Sequence, residues 1–348
     1  MVMNGDMVNG GRQSAYNTFN MLLDEIFGKG RKAMPPVIYP MGNHEYYCPD
    51  AEKCFREQTG FSPDVHYVLN GIHFIGISCS DGVGGYGKNR LDYLKRHLEI
   101  AAGESCTNPI IVISHMPFHV DEFYGGEYCS AQANEMYAIL KNYPQVIYFC
   151  GHSHFPIASE KSLIQKDFTM VNTGGIGYFD LLWNPNEKGI LDDSRPNEYV
   201  NPHLVGIHDQ QDISERDGFN QGWEMTVDSR NGKVELQRMD YAYKRPFGEP
   251  VVMNDLFKKH FPRTLAKLKN EAKAPKFAPD AGVNVSQNKD RIADITFDSA
   301  LSGTVTQQYR LIFVYPDKSE KEVRVMAKGF YLGWDFPYKE FLRFYDCK

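Results

Sequence analysis

No apolar run in this chain approaches the ~20 residues that a membrane-spanning helix needs, and the mean hydropathy of -0.46 is ordinary for a water-soluble protein. No block of basic residues stands out. The 38 Lys and Arg face 44 Asp and Glu, a net charge of -6, so a stable nucleic-acid partner is not expected. No C-x-x-C spacing occurs among Cys48, Cys54, Cys79, Cys106, Cys129, Cys150 and Cys347, and seven cysteines cannot all pair within one chain. Unpaired thiols are expected, buried or half-buried, although Cys48 and Cys54 are near enough in sequence to close a small loop. Cysteine usage leaves the compartment open. Internal repeats are absent, as are the H-E-x-x-H and H-x-H-x-D-H patterns of mononuclear metalloenzymes, which weakens that reading.

What is present argues for a folded α/β protein. At 348 residues there is room for one to three domains, and 42% hydrophobic residues with 24% charged argue against disorder. After an opening strand, "QSAYNTFNMLLDEIFG" places Ala15, Phe19, Leu22, Leu23, Ile26 and Phe27 on one helical face ended by Gly28. "PPVIYPMG" reads as a strand. "HYVLNGIHFIGIS" reads as a hairpin turning at Asn70-Gly71. "NRLDYLKRHLEIAA" has Leu91, Leu94, Leu98 and Ala101 at helical spacing, "NPIIVISH" and "QVIYFCGHSH" read as buried strands, and "SAQANEMYAILKNY" reads as a helix with Ser130 as N-cap. Strands alternating with helices imply a layered α/β fold. Residues 179–222, rich in Asn, Asp, Gly and Pro, read as irregular. A hairpin about Asn231-Gly232 follows, and after a Lys-, Ala- and Pro-rich stretch the sequence is strand-like to its end.

The four expected buried strands end on Asp6, on Asn43-His44, on His115, and on His152 with His154. In open α/β sheets, ligands gather outside the carboxyl ends of strands, so these side chains should meet at one rim. Singly each is weak: a strand-end His is more often a packing or capping residue, and Gly-Asp or Gly-Asn is usually a turn. Four such ends in succession, all bearing oxygen or nitrogen donors, make a shared site the better reading.

These segments resemble a known family. "GD-x-x-N" at residues 5–9, "GNHE" at 42–45, "V-x-x-H" at 112–115 and "GHSH" at 151–154 match, in order, four of the five blocks of the calcineurin-like metallophosphoesterases. The resemblance covers roughly the first 245 residues, and "FTMVNTGG" and "RMDYAYKRPFGEP" are similar to bacterial members with an appended β domain. It implies a four-layer α/β/β/α sandwich and a dinuclear centre of Mn, Fe, Zn or Co, among which these donors do not choose. Asp6 would bridge two metals, Asn43, His115 and His152 would complete one, His154 would belong to the other, and His44 would assist the leaving oxygen. The implied substrate is a small phosphate ester, with monoester and diester both open. An exported location is an expectation of the resemblance alone.

Two departures bear on the site. The family's D-x-H block has no counterpart, because the sequence begins within the second block. A shortened form is therefore expected, with one metal position keeping Asp6, Asn43, His115 and His152 and the other only Asp6 and His154. Such a chain would hold at most one metal tightly and hydrolyse esters poorly. Asn9 stands where purple acid phosphatases carry a ligating Tyr and Ser/Thr phosphatases an Asp that steers the His. A purple iron–tyrosinate centre is therefore not expected, and the orientation of His44 is open.

The remaining residues have ordinary readings. His66, His73 and His97 read as structural or solvated. His119 follows Pro117 and reaches the substrate or solvent, and His203 and His208 fall in the long irregular segment. Tyr46 and Tyr47 either wall the pocket or simply pack. The expected division is 1–253 as the metallophosphoesterase domain, 254–281 as a linker and 282–348 as a small, Ig-like β-sandwich module, short of the ~100 residues of an Ig domain. A metal-binding scaffold without catalysis is the alternative to a hydrolase.

Overall fold

The computed structural model describes residues 1–120, 123, 131–176, 220–288, 292–301, 303–332 and 338–344. Ser130, Cys129, Cys347, His203, His208 and most of the irregular segment lie outside the described residues.

The first helix, α1 (Gln13–Phe27), buries Tyr16, Phe19 and Leu23, an i, i+3, i+7 face. Leu22 and Ile26, expected on that face, are 46% and 68% exposed. They lie about a quarter-turn to the side, so the face that packs is narrower than the apolar pattern suggests. Against it pack Val37, Tyr39 and Met41, together with Phe55 of α2 (Ala51–Thr59).

The hairpin β1 (Val65–Leu69) and β2 (Ile72–Ile77) turns at Asn70 and Gly71, with φ of 53° and 77°. Positive φ at both central residues is the type I′ geometry that Asn-Gly favours. Helix α3 (Lys88–Glu104) buries Leu91, Leu94, Leu98 and Ala101 as the spacing requires. Strand β3 (Ile110–Ser114), helix α4 (Ala131–Leu140), strand β4 (Val146–Cys150) and the antiparallel pair β5 (Leu163–Gln165) and β6 (Thr169–Asn172) complete a sheet of order β1-β2-β3-β4-β6-β5. Strands β2, β3, β4 and β6 run parallel.

Both faces of this sheet are covered, which is why β3 and β4 are unbroken apolar runs. Ile110 and Val112 of β3, with Val146 and Tyr148 of β4, face the core that holds α3 and α4. The alternate residues Ile111, Ile113, Ile147 and Phe149 face Val234, Leu236, Val251 and Met253. Those four belong to a second, antiparallel sheet of β7 (Gln221–Asp228), β8 (Lys233–Asp240) and β9 (Arg245–Met253). The described residues thus supply a helical face and two packed sheets of an α/β fold.

The opening residues and "VIYP" are not a laddered pair of strands as the sequence suggested. They meet at a single parallel bridge, Val2 to Ile38. Beyond it the backbone groups are taken elsewhere: the Asn4 carbonyl by His115, Asp6 N–H by Glu45, and Met41 N–H by Ser78. The ladder is given up to build the rim.

Residues 254–281 do more than link. Leu256 and Phe261 enter the sheet-to-sheet core, and Leu268 of helix α5 (Leu265–Glu271) enters the helical core. Further on lie an antiparallel sheet of order β10-β11-β14 (Val283–Asn288, Ile292–Asp298, Lys339–Phe344) and the pair β12 (Gln308–Val314) and β13 (Glu320–Met326). Phe297 of β11 and Tyr309 of β12 meet edge to face at 5.1 Å. A short helix α6 (Lys328–Leu332) interrupts what the sequence showed as continuous strand. Among the described cysteines Cys48, Cys54, Cys79, Cys106 and Cys150 are free thiols; Cys79 and Cys150 are buried, and Cys106 is exposed. No described helix is long and apolar enough to cross a membrane.

The three histidines read as structural or solvated form a chain. His73 Nε2 lies 3.1 Å from Glu104 Oε2, His66 Nε2 lies 2.8 Å from His73 Nδ1, and His97 Nδ1 lies 2.7 Å from His66 Nδ1. If Glu104 is ionised it only accepts, which orders every proton: His73 donates to Glu104, His66 to His73, and His97 to His66, all three rings neutral. The edge hairpin is thereby fastened to α3. Burial, then the neighbouring His97 and His73, push the His66 pKa down to about 4, and burial with Arg96 lowers that of His97. The unfolded chain therefore binds more protons between about pH 6.5 and 4, and stability should fall as pH drops through that window. His66→Gln should flatten this fall, measured by denaturant unfolding at successive pH values; an unchanged slope would show that the chain does not titrate as described.

Candidate metal centre

The rim is built from two loops that approach unusually closely. A Cβ on Gly42 would sit 2.2 Å from Asp6 Oδ1, and one on Gly5, whose φ is 77°, would sit 2.8 Å from Gly42 Cα and 2.6 Å from His115 Nδ1. Only glycine permits this contact. Glu45, fully buried, locks it: Oε2 accepts from Asp6 N–H (3.0 Å) and Gly42 N–H (2.7 Å), and Oε1 from Met7 N–H (2.9 Å) and the Tyr39 hydroxyl (2.7 Å). Burial and the Asp6 charge push the Glu45 pKa up to about 7, while the Tyr39 hydroxyl and the Asp6 N–H favour the carboxylate. Nothing in the local sequence signals this role, since the four donors become neighbours only after folding. The residue was findable only as the last letter of "GNHE".

Asp6, His115 and His152 each bring a ligand atom within 4.8 Å of the others. His115 and His152 stand at the ends of β3 and β4, their rings 5.2 Å apart and nearly perpendicular. The Asn4 carbonyl lies 2.7 Å from His115 Nδ1. A carbonyl only accepts, so Nδ1 carries the proton, and Nε2 of the neutral ring is a lone pair. That Nε2 lies 2.8 Å from Asp6 Oδ2 yet without hydrogen-bond geometry. Two lone pairs this close repel unless positive charge is shared between them. Burial lowers the His115 pKa, but Asp6 outweighs it and holds that pKa above its usual value; at Asp6 burial is likewise outweighed, by His115 and the His44 N–H, which hold the carboxyl well below its usual range.

Asn43 is 5% exposed; its Nδ2 donates to the Tyr47 hydroxyl at 2.9 Å, and its Oδ1 is buried with no hydrogen-bond partner. Asn43 lies between Gly42 and His44, whose backbones both meet Asp6, and an unpartnered buried amide oxygen is a donor that suits a hard-to-borderline cation as Asp and His do. His152 and His154 have pKa values pushed down to about 3 and about 4 by burial and by the neighbouring His115, so both are neutral bases near pH 7. Asp6, His152 and His154 all take left-handed backbone, with φ of 53°, 66° and 55°. Such strain costs about 1–3 kcal/mol per residue and is held only by surrounding structure. Here Asn172 of β6 donates to Ser153 Oγ at 2.6 Å, and Gly151 N–H donates to the His115 carbonyl at 2.9 Å.

His44 is placed by Asp6 and Asn9. Its N–H donates to Asp6 Oδ1 at 2.8 Å, its Nδ1 lies 2.9 Å from Asn9 Oδ1, and its Nε2 is 4.0 Å from Asp6 Oδ2. The amide oxygen accepts, so Nδ1–H points at Asn9 and Nε2 is left toward the rim. The orientation left open by the sequence is thus set by Asn9. Tyr47, half exposed, lies with its ring 4.8 Å from that of His44, whereas Tyr46 turns away to Glu52 and the core. His119 is exposed.

Oxygen and nitrogen donors gathered at the carboxyl edge of a mixed sheet define an α/β protein with a candidate metal-binding rim. The family model described as calcineurin-like phosphoesterase matches residues 1–156, every candidate metal ligand and His44 included, and this part of the chain is similar to that family. Its members bind divalent metals and act on phosphate esters. No curated protein matches the chain.

Glu45→Gln should destabilise the protein and loosen the rim together. One amide nitrogen would face two of the four donors, and each orphaned buried donor costs about 1–3 kcal/mol. A urea midpoint that falls well below that of the native chain, and below that of Tyr39→Phe, is the expected result. Equal midpoints would show that the carboxylate does not hold the loops.

Proposed function

We propose that the protein hydrolyses phosphate esters at this rim, where Asp6, Asn43, His115 and His152 would hold one metal ion and Asp6 and His154 would serve a second. The observation that carries the reading is the 2.8 Å approach of Asp6 Oδ2 to a His115 nitrogen whose proton sits on the opposite side of the ring. Mn, Fe, Zn and Co all suit the donors. When bound, the ions supply positive charge for the phosphoryl oxygens and lower the pKa of coordinated water so that hydroxide is available near neutral pH.

The chain's own residues do the rest. His115 is held to one tautomer by Asn4, and His152 by the strained loop that Ser153 and Asn172 brace, so the donors are oriented before a ligand arrives. His44 serves the leaving group: a proton carried on Nε2 passes to the departing alkoxide while Nδ1 keeps its own on Asn9. Its side chain is 35% exposed, open enough to meet a substrate from solvent. Residues 282–348 form a separate β module, with the Ig-like sandwich its proposed arrangement, and 254–281 join it to the catalytic part.

The test is an assay of the full chain on an aryl phosphate with added Mn or Zn. His44→Ala should lower kcat by about 10²–10⁴-fold at unchanged metal content, and by less for esters with good leaving groups. His152→Ala should lower both kcat and metal content. Loss of metal on His44→Ala would overturn its role, and a fully metallated chain with no turnover would favour a binding scaffold.

A further inference from the structure

Asn43 and Tyr47 flank the 3-10 turn His44–Tyr46, one at each end, and the tight turn brings their side chains into contact. The amide of Asn43 is divided between two surroundings: Nδ2 donates to the Tyr47 hydroxyl at 2.9 Å, and Oδ1 is buried without a partner. A half-turn of the amide would exchange oxygen for NH2 with almost no change of shape. For a metal the two ends are opposites, because the oxygen offers lone pairs and the NH2 group offers only protons. In the observed orientation the group that meets the NH2 end is the Tyr47 hydroxyl, acting as acceptor.

We propose that Tyr47 is a positioning residue for the metal: by accepting from Asn43 Nδ2 its hydroxyl holds Oδ1 toward Asp6, His115 and His152. This rests on Asn43 being a ligand. The ring of Tyr47 is itself fixed, since a Cβ on Gly82 would lie only 3.0 Å from its Cε1 and its centroid stands 4.8 Å from that of the His44 ring. The hydroxyl thus stands at a set distance from the amide, and loss of the hydroxyl alone leaves the ring where it is. One residue links the ligand amide to the imidazole that serves the leaving group.

The test is calorimetric titration of chelator-treated full-length protein with Mn2+. Tyr47→Phe keeps the ring and should weaken Mn2+ binding by about 10–100-fold, the usual effect of removing a partner of a metal ligand, with the protein still folded. Asn43→Asp presents oxygen at both positions, so in that background Tyr47→Phe should weaken binding by less than in the native chain. Wild-type affinity in Tyr47→Phe, when Asn43→Ala is weakened, overturns the proposal and leaves the ligand set standing. An equal loss whether Tyr47→Phe is made alone or together with Asn43→Asp would also overturn it, by showing a merely structural effect. Unchanged binding in Asn43→Ala would overturn the ligand assignment itself.

Discussion

Everything at the rim depends on one buried carboxylate. Glu45 accepts from three backbone N–H groups and one hydroxyl, and these come from two loops that share no strand ladder. The N-terminal segment and the "VIYP" segment meet at one bridge only, so residues 5–7 are fixed against residues 42–44 by Glu45, with the His44 N–H to Asp6 Oδ1 bond beside it. Burial makes the charge expensive, and the donors offset that cost; this is the condition under which a buried carboxylate is tolerated. The glycines at 5 and 42 are the steric counterpart, allowing the loops to close to the distance that the carboxylate spans.

Once the loops are locked, the electrostatics follow. Asp6 is ionised beside His115, while His152 and His154 are kept neutral by burial and by the same neighbour. A rim of one carboxylate, one amide oxygen and several neutral imidazoles is rich in lone pairs and poor in protons. Left-handed backbone at three of its residues is sustained by the bonds around them, among them Asn172 to Ser153 and Gly151 to the His115 carbonyl. Asn9 and Tyr47 stand one step back, and each turns a side chain that could face either way.

The sequence was most legible where periodicity and burial coincide. The β3 and β4 runs, the Asn-Gly hairpin and the apolar face of α3 appear where their patterns put them, and with them the positions of His115 and His152. The apolar pattern misled at α1, where Leu22 and Ile26 are exposed, and in the opening segment, whose β-like composition serves a single bridge. Glu45, Tyr47 and the His66–His73–His97 chain were not legible as partners at all. The partners of Glu45 and of the histidine chain lie up to 39 positions away, beyond any local spacing, and Tyr47 meets Asn43 through a 3-10 turn that the periodicity does not mark.

The central claim is that this rim holds a metal through Asp6, Asn43, His115 and His152. Crystals of the full chain grown with Zn2+ and measured across its absorption edge test it most directly. The account predicts an anomalous peak about 2.0–2.1 Å from His115 Nε2, within bonding reach of Asn43 Oδ1, with the His115 Nδ1 bond to Asn4 retained. A rim without such a peak, or a zinc ion bound only elsewhere on the chain, would contradict it.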